Sequence, residues 1–236
     1  MVFTDQAIIV TGAAGNVGSA VIRLLAERGA RVAAVDAVKQ PLEALIASLP
    51  DAGRHLSLAG YDLMDPTACA SIAERVGREL GRIDGVVNTV GGFAMGSLAE
   101  SGPELWDRMF GLNLKTALNL YRAVVPAMRQ AGRGSLVAIG AAAALRAPEG
   151  LAAYASSKAA VLRLTESLAD ELKRDGVRVN AVLPGTINTP QNRAAMPDAD
   201  PALWVKPTEV AEAILFLLSD AASGVTGALL PVGGRS

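Results

Sequence analysis

Ala7-Ile8-Ile9-Val10-Thr11-Gly12-Ala13-Ala14-Gly15-Asn16-Val17-Gly18 decides how this chain folds. An apolar run ends at Thr11, glycines follow, and Val21, Leu24 and Leu25 then recur at helical spacing. The reading is strand, glycine loop, helix. Glycines let the backbone approach a pyrophosphate, and a helix start offers free N–H groups and the positive end of a dipole. A second strand, 31–35, follows and ends in Asp36. A carboxylate there can accept hydrogen bonds from both ribose hydroxyls of NAD and would repel the 2′-phosphate of NADP. No Lys or Arg lies within 12–18 to offset that repulsion. The expected cofactor is therefore NAD rather than NADP, held by Gly12, Gly15, Asn16, Val17, Gly18 and Asp36.

Short apolar strands alternate with amphipathic helices along the rest of the chain. Helices are predicted over 41–49, from Pro66 to near Gly81, over 103–130, from about Tyr154 to Arg174, and over 208–219. Strands are predicted over 55–58, 83–87, 135–139, 177–183 and 228–232. Asp65-Pro66 reads as an N-cap followed by proline at the first helical position. The stretch 184–207, rich in Pro, Asn and Asp, reads as a loop. Strands separated by helices of this length imply right-handed crossovers and a parallel sheet. No repeat or linker divides the 236 residues, so one α/β domain over 1–236 is expected.

Composition narrows the function classes. Hydrophobic residues make up 51% of the chain and aromatics only 4%, so Ala, Val and Leu must fill the helix–sheet interfaces. A net charge of -1 points to neither nucleic acid nor an anionic membrane as partner. Cys69 has no second cysteine to pair with and reads as a small filler on a helix. The single histidine, His55, has no companion cluster, so no metal is expected. The first five residues lack a basic, apolar leader pattern, and the run 136–145 is too short to span a bilayer. A cytoplasmic protein is the expectation.

Tyr154 and Lys158 carry the chemistry. Four residues apart on a helix, they are side-chain neighbours. A free phenol has a pKa near ~10, and a cation beside it favours the phenolate. The pair is thus read as a general acid/base with an acidified tyrosine. A Tyr-x-x-x-Lys alone also arises on plain solvated helix faces; the nucleotide loop gives this one its weight.

Taken in order, Thr11-Gly12 with Gly18, Asp36, Asp62-Leu63, Asn88 with Gly91, Asn113, Tyr154 with Lys158, Pro184-Gly185 with Thr189, and Val225-Thr226-Gly227 resemble a short-chain dehydrogenase/reductase over nearly the whole chain. The resemblance implies a Rossmann fold, a doubly wound parallel sheet of about seven strands with helices on both faces. It implies that Asp62 and Leu63 flank the adenine and that Asn88 and Gly91 line the cofactor. Tyr154 would move the proton, Lys158 would bind the nicotinamide ribose, and Asn113 would hold a water linking Lys158 to solvent. Pro184 and Gly185 would line the cofactor, with Thr189 and the backbone of Ile187 binding its carboxamide. Plainer readings stay beside these: Asn113 as a residue satisfying helix backbone, Thr189 as an ordinary turn residue. The resemblance also implies a homodimer or homotetramer built on two long helices. Leu112, Ala117, Leu120 and Val124 would give the longer helix an apolar outer surface, unless they pack only on their own sheet.

Two departures stand out. Asn16 occupies the family's usual third glycine position, and a positive φ is expected there because Asn tolerates left-handed backbone. The catalytic serine usual thirteen residues before the tyrosine is Ala141. Losing one preorganised donor can lower a rate by about 10²–10³. Dihydropteridine reductase, a branch of the family, is known for that absence. Gly140-Ala141, Ala143-Ala144-Leu145, Gly91-Gly92-Phe93, Leu183-Pro184, Thr189-Pro190, Asn192-Arg193, Met196-Pro197, Ala199-Asp200 and Trp204 resemble it. The expectation is hydride transfer from NADH to an electron-poor conjugated small molecule. Phe93, Ala141, Met196 and Trp204 would line its pocket, and 191–205 would form a lid. The alternatives are a general carbonyl or 3-oxoacyl reductase, or alcohol dehydrogenase, lacking the serine, and a non-catalytic dinucleotide-binding subunit or sensor.

Overall fold

The computed structural model describes residues 1–235; Ser236, the last residue of the expected domain, lies outside them. The elements are β1 (Ala7–Thr11), α1 (Asn16–Glu27), β2 (Arg31–Asp36), α2 (Lys39–Ala47), β3 (Leu56–Ala59), α3 (Pro66–Leu80), β4 (Gly85–Asn88), α4 (Pro103–Phe110), α5 (Thr116–Ala131), β5 (Gly134–Ile139), α6 (Ala152–Leu172), β6 (Val177–Pro184), α7 (Pro190–Ala195), α8 (Pro207–Leu218) and β7 (Leu229–Val232). All strand pairs are parallel, in the order β3-β2-β1-β4-β5-β6-β7. The order reverses between β1 and β4. In doubly wound sheets, ligands bind at that switch point, outside the carboxyl ends of the strands.

Alternation along the buried strands splits the core in two. Ile8 and Val10 of β1, with Val32 and Ala34 of β2, pack against α1, α2 and α8. Ala7, Ile9, Ala33 and Val35 face the other way, against α3, α5 and α6. Strands covered on both faces read as continuous apolar runs, which is why 7–10 did. Cys69 lies in the second core with its thiol donating to the Leu63 carbonyl at 3.6 Å, and burial pushes its pKa up to about 11. His55 is structural too: its Nδ1 accepts from the Val32 N–H.

Local signals set the ends of α3. Asp65 caps it by accepting from the Thr67 N–H at 2.8 Å, Pro66 is its first residue, and Gly81 ends it at φ 76°. The helix predicted over 103–130 runs as α4, a π-helical turn (Gly111–Lys115) and α5. The expected apolar outer surface of that helix is corrected. Ala117, Leu120 and Val124 are fully buried on their own sheet, and Leu112 turns toward a crevice it shares with Gly12, Asp36 and Gly91. The outward groove between α5 and α6 is lined instead by Leu118, Arg122, Val125, Arg129 and Leu168. Among the described residues, no helix is long and apolar enough to cross a membrane, and no three His, Cys, Asp or Glu cluster as a metal site would require.

Candidate active site

Every strand that feeds the site does so from its carboxyl end. At the switch point the Thr11 hydroxyl donates to Asn88 Oδ1 at 2.7 Å, and Thr89 Oγ1 donates to the Thr11 carbonyl at 2.6 Å. These bonds lock β1 to β4 where the sheet splays. Gly12 has φ +62°, and a Cβ on it would meet Thr89 Oγ1 at 2.7 Å. A Cβ on Gly18 would lie 2.2 Å from the Gly12 carbonyl oxygen, so the loop and α1 touch backbone to backbone. The positive φ expected at Asn16 is absent. Asn16 is the first residue of α1, and the left-handed turn is made four residues earlier by Gly12. The loop needs glycine for close approach at Gly18, and Asn16 needs neither.

The crevice beside this loop has a volume of about 620 Å³. Gly12, Gly15, Asp36, Asp62, Leu63 and Gly91 are among its walls, and none of its lining residues is Lys or Arg. Asp36 is fixed before any ligand arrives: Oδ2 accepts from the Ala14 N–H at 2.9 Å and Oδ1 from the Val38 N–H at 3.1 Å. Asp62 Oδ1 accepts from the Met64 N–H. Asn119, which sequence reasoning missed, holds the same wall by donating to the Leu63 and Met64 carbonyls. Only its place on α5 facing that loop gives it the role, and no motif marks it. The depth, the bare glycines and the carboxylate at the end of β2 fit an elongated dinucleotide.

The residues expected to carry the reaction lie beyond β4. The π turn brings Asn113 inward, where Oδ1 accepts from the Gly92 N–H and Nδ2 donates to the Gly92 carbonyl and to Ser157 Oγ at 2.9 Å. Ser157 in turn donates to the Tyr154 carbonyl. The Asn113 amide is thus committed to protein groups, and a water between it and Lys158 would have to use its backbone. Sequence reasoning also missed Ser157, whose only signal is its place between Tyr154 and Lys158 on one helix. Lys158 is buried, and its Nζ donates to the Ile139 carbonyl at the end of β5, 2.8 Å away. A Cβ on Gly91 would meet Asn113 Oδ1 at 2.7 Å and Lys158 Nζ at 3.2 Å. Glycine there lets the crevice reach the lysine.

The acidified tyrosine expected from Tyr154-x-x-x-Lys158 is corrected. Burial raises the Tyr154 pKa above that of a free phenol, with no compensating pull from the lysine. Burial also pulls the Lys158 ammonium down to about 8. The reason is geometric. Lys158 is tied to Ile139, while the Phe93 ring stands edge-on to the Tyr154 ring, centroids 4.9 Å apart. Low-dielectric surroundings outweigh a cation directed elsewhere.

Ala141 is buried at the end of β5. Ser135, at the opposite end of that strand, donates to the Leu217 carbonyl. Pro184 ends β6, and Gly185 donates to the Val232 carbonyl. Thr189 caps α7 by accepting from the Asn192 N–H, and the Ile187 carbonyl accepts from Asn192 Nδ2. The stretch expected as a loop thus contains α7 and is pinned at its far end, where Ile187 and Val205 form a parallel bridge. Met196 is exposed near the tip. Trp204, expected in the substrate pocket, is buried. It lines a separate cavity with Val232, Gly234 and Arg235 in which neither Tyr154 nor Ala141 takes part.

Known proteins align with this arrangement. A family model described as short chain dehydrogenase matches residues 6–200. The chain is 35% identical over 235 residues to 2,3-dihydro-2,3-dihydroxybenzoate dehydrogenase of Bacillus subtilis (strain 168), covering 92% of this chain and 90% of that one. It is also 35% identical over 234 residues to a 3-oxoacyl-acyl-carrier-protein reductase of Thermotoga maritima, covering 96% and 95%. Among solved structures, an NAD⁺-bound xylitol dehydrogenase superposes with a TM-score of 0.89 at 27% identity, covering 98% of this chain and 99% of that one.

Proposed function

The chain belongs to the short-chain dehydrogenase family, and from that premise we propose that it is an NADH-dependent reductase of an electron-poor conjugated ring, of the dihydropteridine reductase type. Enzymatic oxidoreduction is common ground with its relatives, which are named dehydrogenases and reductases. A purely sensory role is therefore set aside. The observation that carries the finer reading is the buried, apolar Ala141, thirteen residues before Tyr154 where the family's hydroxyl donor usually stands, in a chain that keeps Tyr154, Lys158 and Asn113. A carbonyl oxygen gaining charge needs such a donor. A conjugated ring spreads the charge over its own atoms and needs only a proton.

Bound nicotinamide dinucleotide supplies the hydride. The residues fit NADH because Asp36 and Asp62 face the crevice with no cation among its walls to meet a 2′-phosphate. Gly12, Gly15, Val17, Gly18, Asn88 and Gly91 hold the dinucleotide, and Pro184, Gly185, Ile187 and Thr189 hold its far end. Tyr154, kept protonated by burial, is the proton donor for reduction. Lys158, charged below about pH 8, is the donor for the nicotinamide ribose. Phe93 and Met196 form apolar walls, and 191–205 is the lid. A homodimer or homotetramer through the α5–α6 face and a cytoplasmic location complete the proposal.

Purified protein, NADH and quinonoid dihydropterin test it: oxidation of NADH at a turnover typical of enzymes is expected, and none would reject the substrate class. The relatives' names favour a second reading, a carbonyl or 3-oxoacyl reductase or alcohol dehydrogenase working without the serine. On that reading Ala141→Ser raises ketone turnover about tenfold or more, part of what one such donor contributes, and leaves the dihydropterin rate without gain.

A further inference from the structure

We propose that Asn16 and Gln191 are positioning residues that form a strap across the cofactor crevice and retain the bound dinucleotide. Asn16 Nδ2 donates to Gln191 Oε1 at 3.1 Å, joining residues 175 apart in sequence. One stands at the start of α1, the other in the first turn of α7. Their parent strands are not neighbours: β1 and β6 are separated by β4 and β5. Three strand spacings amount to roughly 14 Å. The amide bridge therefore joins elements whose parent strands stand on either side of β4 and β5.

A dinucleotide has to run beneath it. Its adenosine end belongs beside Asp36, on the far side of β1, and its reactive end belongs beside Lys158, which reaches the end of β5. Its middle crosses at the glycine loop, where Asn16 begins α1. A glycine at residue 16 would have no side chain to send over. The other anchor is firm. Thr189 caps α7, Asn192 is tied to the Ile187 carbonyl, and Arg193 Nε donates to Asn188 Oδ1 at 2.7 Å. Both amides are exposed, so water competes for the bond and its hold is modest. The inference uses only the dinucleotide common to the family and does not depend on which substrate is reduced.

Stopped-flow release of NADH and of NADPH, followed by nicotinamide fluorescence, tests the strap in Asn16→Gly, Gln191→Ala, the double variant and the exchanged pair Asn16→Gln/Gln191→Asn. One neutral hydrogen bond corresponds to roughly three- to tenfold faster release in each single variant. The double variant should release no faster than either single one, because both remove the same bond. The exchanged pair, with the same number of side-chain atoms, should recover slow release. AMP, which occupies only the Asp36 side, should bind all variants alike by ligand-observed NMR. Unchanged release rates, additive effects in the double variant, or a parallel loss of AMP affinity would each overturn the proposal. The last result would mean that the glycine loop itself had been damaged.

Discussion

The two halves of the crevice are built from different materials. The adenosine half is made of backbone: Gly12 at φ +62°, Gly18 against the Gly12 carbonyl, and Asp36 tied down by two N–H groups. The reaction half is made of side chains whose charge depends on their cover: Tyr154 under Phe93, Lys158 on the Ile139 carbonyl, Asn113 between Gly92 and Ser157. Backbone geometry follows from residue type at fixed spacing. Side-chain charge follows from what surrounds it after folding. The first half is therefore rigid before any ligand arrives, while the second is set by a balance that one substitution can move.

The largest expected effect separates the halves most cleanly. Tyr154→Phe keeps the edge-on contact with Phe93 and removes only the hydroxyl. Turnover should fall by about 10²–10⁴, while the NADH dissociation constant stays within a factor of about two. Steady-state kinetics beside a fluorescence titration would check both, and turnover close to wild type would remove Tyr154 from the chemistry. A smaller effect belongs to the other half. Asp36→Ala takes the fixed carboxylate from the ribose site, and the NADPH-over-NADH ratio of kcat/KM should rise about 10- to 100-fold, a change of roughly 1.4–2.8 kcal/mol. An unmoved ratio would mean that Asp36 does not select the cofactor.

The same division explains what the sequence disclosed. The strand–glycine–helix unit, the Asp65-Pro66 cap and the end of α3 at Gly81 were legible because each depends on backbone conformations that few residues allow. The π turn inside the helix over 103–130 was not, since a lone Gly111 within a helical pattern does not mark a change of helix type. It shows itself by turning Asn113 toward Gly92. Asn16 misled because a family glycine can serve φ or closeness, and residue letters do not say which. The stretch 184–207 misled in two ways. Its Pro and Asn residues read as loop, yet Pro190 opens α7 and Asn188 and Asn192 brace it. Trp204 read as a substrate contact, yet it is buried near the end of that stretch. A motif shared with a relative marks a shared shape as readily as a shared ligand.

The smallest effect is on stability, at Lys158, and it is the sharpest test of the contrast. In the unfolded chain its ammonium titrates near 10.5, and burial brings it to about 8 in the folded one. Below pH 8 both states carry the proton, and the folded state bears the whole penalty of the buried charge. Between pH 8 and 10.5 the unfolded chain binds a proton that the folded chain lacks, so this group adds stability as pH rises. Above 10.5 both forms are neutral and the penalty is gone. A shift of that size corresponds to roughly 3 kcal/mol, against which the charged hydrogen bond to Ile139 returns about 1.5–3 kcal/mol. Lys158→Met should thus be inactive yet, at pH 7, more stable than wild type by up to about 1.5 kcal/mol. Denaturant titrations at pH 7, 8 and 9.5 should show that gain shrinking as pH rises. A gain that stays flat across these pH values would mean that the lysine is solvated in the folded chain. The reaction half would then be less dry than its packing implies.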